Sequence, residues 1–171
     1  MRLALGCGNQ VQYYRRRGFL TLDAEKPSMG QPDFIAEVPP LPDKVLAMQF
    51  EEVEAIHFWE HLYYWQAVEL AEQIAGVLRP GGLLVLELPN LAKVIENMAN
   101  GADDPRLGIW GLYGAQTDPK WKNSPYCAHK WGYTPASITE QFMSAGFQKV
   151  DVVRARERLP DVRDMRVHAY V

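Results

Sequence analysis

Short apolar runs alternate with segments of helical period through the first half of the chain. Residues 3–6 (LALG) read as a buried strand, and residues 10–17 as a short helix that Gly18 stops. Residues 19–23 (FLTLD) read as a second strand ending on an acid, and residues 32–38 as a short strand-like segment before the rigid PPLP at 39–42. Residues 53–58 (VEAIHF) form a further strand. The next segment, 60–77, is the strongest helix: Leu62, Trp65, Ala67, Val68, Ala71, Ile74, Ala75 and Leu78 recur at helical spacing. The RPGG at 79–82 ends it, because proline cannot continue a helix and glycine permits positive φ. Residues 83–88 (LLVLEL) are almost wholly apolar, as in a strand covered on both faces.

Beyond Pro89 the pattern changes. Residues 91–100 are helical in period, whereas 101–131 are rich in Gly, Pro, Asn, Asp and aromatics with no period. A loop that long in a compact domain is usually functional. Residues 135–145 resume as a helix with Thr134 as N-cap, and two runs near the end, 146–155 and 165–171, read as a closing strand pair. The expected architecture is a single α/β domain over 1–171: a doubly wound, mostly parallel sheet with helices on both faces and an antiparallel C-terminal strand pair. The stretch 101–131 is a loop insertion on it.

The 171 residues suffice for a genuine core, and 47% apolar with 23% charged residues is the composition of a globular protein. A net charge of −3 and a pI near 5.8 disfavour a nucleic-acid partner. No apolar run reaches the roughly 20 residues of a membrane span, and no signal-peptide pattern opens the chain, so the expected location is cytoplasmic. Two cysteines, Cys7 and Cys127, build neither a disulfide framework nor a zinc site by themselves.

The first strand runs into "RLALGCGNQ", two glycines within three residues. In open α/β sheets ligands bind beyond the carboxyl ends of the strands, where strand order reverses. A glycine turn there lets main chain approach a ligand. The dinucleotide fingerprint G-x-G-x-x-G is incomplete, because Val11 stands at its third glycine. Asp23, closing the second strand, could accept hydrogen bonds from both hydroxyls of a ribose, or be an exposed strand-end acid. Together the turn and the acid favour a nucleoside-containing ligand without demanding a pyrophosphate.

With these come "TLDAE", "EAIHFWEHL", "LRPGGLLVLELPN" and "WGYTPASITEQFMSAGF", in an order that resembles class I S-adenosylmethionine-dependent methyltransferases. The resemblance is closest to the small bacterial and phage proteins of the methyltransferase type 11 kind, and covers nearly the whole chain. It implies S-adenosylmethionine as cofactor, Leu5, Gly6, Cys7 and Gly8 around its methionine part, and Asp23 on its ribose. It places Glu37 and Val38 near the adenine, and Ile56, His57 and Phe58 facing cofactor and acceptor. Three departures from the family pattern stand out: Leu5 replaces an acid, the third glycine is missing, and Glu37 replaces an aspartate. The chain also starts at the first strand without the family's upstream helices, so a homodimer is the partner expected to bury the apolar surface left there.

Methyl transfer from a sulfonium needs chiefly positioning, plus a base where the acceptor is a hydroxyl. His129, in "YCAHKWGYT", and His57 are the catalytic candidates. His129 reads either as a base on the acceptor side or as a loop histidine bonded to main chain. Trp110, Trp121 and Trp131 read either as an acceptor platform or as the core of the loop. "HFWEH" invites a metal, but His57 belongs to a strand end, the helical H-E-x-x-H pattern is absent, and no metal site is expected. Glu60 suits a helix start, and His61 a packed position beneath it. The function expected from these features is methyl transfer to a small molecule or a sugar or cell-surface precursor. The alternative is a catalytically degenerate cofactor-binding or regulatory subunit. A nicotinamide-dependent oxidoreductase fits less well, for want of a complete pyrophosphate loop.

Overall fold

The computed structural model describes residues 1–121 and 124–171, the Trp121 side chain excepted. Seven strands form one sheet: β1 (Arg2–Leu5), β2 (Phe19–Asp23), β3 (Phe34–Ile35), β4 (Phe50–Ile56), β5 (Leu78–Pro89), β6 (Lys149–Arg154) and β7 (Asp164–Tyr170). Their order is β3-β2-β1-β4-β5-β7-β6. The first five run parallel, and β7 pairs antiparallel with both β5 and β6. Strand order therefore reverses between β1 and β4, which opens a crevice at their carboxyl ends.

The helices are α1 (Val11–Arg16), α2 (Asp43–Leu46), α3 (Tyr64–Val77), α4 (Leu91–Ala99), α5 (Ile109–Tyr113) and α6 (Pro135–Ser144). The two-residue period of β1 divides the core between the sheet's faces. Leu3 and Leu5 join the larger cluster with Ala67, Leu70 and Ile74 of α3 and Ile138 and Phe142 of α6. Ala4 points the other way, into a smaller cluster with Cys7, Val11, Tyr14 and Phe19. Trp59 is fully buried in the larger cluster; its ring lies 5.3 Å from that of Phe142 and its indole N–H donates to Gln141 at 3.2 Å.

Local sequence explains most boundaries. Thr134 caps α6 by accepting the N–H of Ser137 at 3.2 Å, and Asn90 caps α4 by accepting that of Ala92 at 3.1 Å. The predicted helix from residue 60 is instead a 3-10 turn at Trp59–His61, a break at Leu62 and Tyr63, and then α3. The break arises because the Gln66 side chain accepts the Tyr63 N–H at 3.1 Å, starting the helix there. Trp65, expected on the apolar face, stands 67% exposed and stacks on Tyr63. RPGG ends the helix as expected but continues as strand: β5 starts at Leu78, and its pairing with β4 slips between Phe50 and Glu52 to accommodate the glycines. The loop 101–131 carries α5 and 3-10 turns at Pro119–Trp121 and Pro125–Cys127.

Both chain ends are held in the sheet. The Met1 carbonyl accepts from Glu51, while Val171 exchanges bonds with Gly81 and Gly82. No helix among the described residues is long and apolar enough to cross a membrane.

Trp59→Ala should cost about 3–5 kcal/mol of folding stability, since it removes a large fully buried side chain and leaves a cavity. Urea unfolding measures this, and an unchanged midpoint would deny Trp59 its place in the core.

Candidate active site

The crevice at the reversal point is edged by the glycine turn. Gly6 has φ +61° and Gly8 φ +49°, a region that glycine adopts freely. Gly6 is also sterically required: a Cβ there would come within 2.5 Å of Phe58 Cδ2. Asp23, half-buried at the end of β2, accepts the Gly8 N–H at 2.7 Å and, more weakly, the Glu25 N–H at 3.4 Å. A carboxylate offers about four lone-pair positions, and with the Cys7 thiol bonded to Asp23 as well, about one stays open to a hydroxyl. Leu5 and Cys7 are buried beneath the turn. Burial first, then the charge and hydrogen bonding of Asp23, push the Cys7 thiol up to about 12.

Beyond β3, Glu37 is exposed, whereas Val38 packs into the main core beside Leu41. At the end of β4, Ile56 and Phe58 are half-buried. His57 between them has φ +51°, unusual for a residue with a side chain, and its N–H donates to Glu87 at 2.7 Å. This twist turns the His57 side chain, only 3% exposed, between two acids. Nδ1 lies 3.1 Å from Glu60 Oε1, and Nε2 lies 3.5 Å from Asp164 Oδ2. Asp164 is in turn held by the Arg163 guanidinium and the Leu159 N–H. Burial alone would raise the Glu60 carboxyl, but the His57 hydrogen bond and the nearby histidine charges outweigh it and hold the group at about 2.

His57 opens on a cleft of about 320 Å³ that His129, Trp110, Asp118, Arg106, Arg158 and Arg163 also line. The two catalytic candidates thus share one cleft. His129 Nδ1 lies 3.0 Å from the Gly111 carbonyl, which can only accept, so Nδ1 carries hydrogen and the neutral ring keeps its lone pair on Nε2. Desolvation, opposed by Glu60, lowers the His129 pKa and favours that neutral form. His61 makes the same type of bond to Ala128 at 3.0 Å, and its ring meets that of His129 edge to face at 4.9 Å.

The loop is tied down by main chain as well. Lys130 and Trp131 donate to the Glu60 carbonyl, and His129 to that of Tyr113. Trp110 faces the His57 cleft, with its N–H on Thr117 at 2.7 Å. Trp131 instead leans on Tyr64 and lines a second cleft of about 340 Å³ over α3 and α6. The Trp121 side chain lies outside the described residues. Sequence reading missed Arg106, Arg163 and Asp164, which carry no motif, and missed the meeting of His61 with His129.

No family model matches the chain, and no curated protein matches it either. Solved structures do. A SAM-dependent methyltransferase from Archaeoglobus fulgidus matches 99% of this chain and 85% of its own at TM-score 0.67 and 14% identity. The 1,6-didemethyltoxoflavin-N1-methyltransferase of Burkholderia thailandensis, solved with S-adenosylhomocysteine and its substrate, matches at TM-score 0.61 and 18% identity, over 99% and 69% of the two chains. An O-methyltransferase family protein from the same organism matches at TM-score 0.59 and 13% identity, and this chain spans 50% of its length. The fold is that of the Rossmann-like methyltransferases.

With its thiol pKa near 12 and its side chain buried, Cys7 should resist iodoacetamide at pH 8 in the folded protein and react once the chain is unfolded. Peptide mass mapping reads this out; rapid labelling of Cys7 in the native state would contradict its placement under the turn.

Proposed function

We propose that this chain is an S-adenosylmethionine-dependent methyltransferase acting on a small, sugar-like or other hydroxyl-bearing acceptor that carries an anionic group. The observation that carries the reading is Asp23, set beside the glycine turn and bound to the Gly8 N–H, at the crevice where strand order reverses. Methyltransferases of the same fold, one of them holding S-adenosylhomocysteine, support it.

In this reading the turn from Leu5 to Gly8 receives the methionine part, Asp23 grips the ribose, and Glu37 stands towards the adenine. Phe58, packed on Gly6, separates cofactor from acceptor. The acceptor lies in the cleft beside His57 and His129. Arg106, Arg158 and Arg163 line it with Asp118; Arg163 is paired with Asp164 and Arg106 with Asp104, so Arg158 is the cation placed to meet a phosphate or carboxylate on the acceptor.

S-adenosylmethionine, when bound, would supply an activated sulfonium methyl group, and the turn, Asp23 and the cleft residues would hold it in line with the acceptor oxygen. A hydroxyl proton would pass to the lone pair that His129 keeps on Nε2 once its Nδ1–H is bonded to Gly111. Positioning of two reactants in line can contribute on the order of 7–11 kcal/mol, so the acid–base contribution is the smaller one. His57, set between Glu60 and Asp164, orients the cleft wall.

Calorimetry with S-adenosylhomocysteine, followed by an acceptor screen for its release, tests the proposal. Asp23→Ala should weaken binding at least about tenfold, because hydrogen bonds to a charged group are lost. Unchanged affinity would remove Asp23 from the site. His129→Ala should lower turnover far more than cofactor affinity, and wild-type turnover in that variant would return His129 to a structural role. Binding without turnover on any acceptor would favour a regulatory, cofactor-binding subunit.

A further inference from the structure

Glu60, His61 and His129 converge from two segments of the chain. A carboxylate oxygen of Glu60 and one ring nitrogen of each histidine all lie within 4.8 Å of one another. Glu60 is 2% exposed; its Oε1 faces His57, and its Oε2, fully buried, meets no hydrogen-bond donor. Leaving a buried carboxylate oxygen unmatched is costly. The histidines do not supply the missing donor, because each places its Nδ1–H on a main-chain carbonyl at 3.0 Å and keeps Nε2 as an acceptor in the neutral ring. With both rings neutral, the cluster brings together lone pairs that a bound cation would satisfy at once.

We propose that Glu60, His61 and His129 form a binding site for a divalent transition-metal ion of the zinc(II) or iron(II) kind, held by one carboxylate oxygen and two imidazole nitrogens. Two imidazoles with one carboxylate suit these ions, whereas magnesium and calcium prefer oxygen throughout. The surroundings match what metal ligands require. Ligating histidines usually give their other N–H to a carbonyl or carboxylate, and ligating carboxylates are themselves hydrogen-bonded. Here Ala128, Gly111 and His57 fill those places. The Lys130 and Trp131 bonds to the Glu60 carbonyl fix the distance between the two ligand-bearing segments. Bonds of about 2.0–2.2 Å would draw the ligand atoms to roughly 3–3.5 Å apart, inside the 4.8 Å within which they now lie.

His129 also lines the arginine-rich cleft, so an ion held there borders the space assigned above to the acceptor. Imidazole as ligand and imidazole as base exclude each other at Nε2; with the ion bound, lowering of an acceptor hydroxyl's pKa falls to the metal. Metal binding itself does not rest on the methyltransferase reading.

The test uses the purified full-length chain, stripped with chelator and titrated with cobalt(II), then zinc(II). One equivalent should bind, with visible cobalt bands of four- or five-fold coordination that zinc abolishes. His61→Ala and His129→Ala should each weaken binding by about hundredfold or more and lose the bands, as should Glu60→Gln if it folds. His168→Ala, at the one histidine outside this region, should bind like the wild type. Absence of saturable 1:1 binding in the wild type, or unchanged affinity in both histidine variants whose circular dichroism is native, would overturn the site. Those results leave cofactor binding and turnover as they are, so failure here is separable from failure of the proposed activity.

Discussion

A carboxylate buried at the mouth of a parallel sheet calls for compensating partners, and the arrangement around Glu60 answers that need at every atom but Oε2. Desolvating such a charge costs several kcal/mol unless partners surround it. Its Oε1 holds His57, its neighbours include two further imidazoles, and its own carbonyl takes two N–H groups from the loop. The loop is thereby fixed by hydrogen bonds to the turn after β4 instead of by a hydrophobic face. The same requirement reaches through His57 to Asp164 and Arg163 at the start of β7, so three separated segments are registered against one acid.

The glycine turn and the arginine-lined cleft are distinct places joined through Phe58. Gly6 abuts its ring, and His57, the preceding residue, opens on the cleft. The loop also reaches toward the other half. Burial, then the charges of Glu25 and Glu37, the acids that follow β2 and β3, raise the phenol of Tyr126 in this loop.

Much of the fold could be read from the sequence because parallel strands covered on both faces are continuous apolar runs, and residues 3–6, 19–23 and 83–88 are such runs. Thr134 was legible as a cap because a threonine before proline and a helical period leaves few other readings. The short helix Asp43–Leu46 and the first residues of β4 escaped notice, being too brief for any period to show. The break before α3 depends on one side-chain bond from Gln66, which no periodicity signals. The turn and Asp23 stood out as a local pattern. The convergence of His61 with His129 did not, because a contact between distant segments is a property of the folded chain, whereas "HFWEH" shows in the sequence only the spacing of His57 and His61.

The anchoring of the two ends has a practical corollary. Met1 and Val171 are both bonded at the amino ends of β4 and β5, the rim of the sheet away from the crevice. A linker or affinity handle fused at either end would leave on that far rim. The protein could then be tethered to a sensor surface with the glycine turn and the arginine-lined cleft facing the flowing solution.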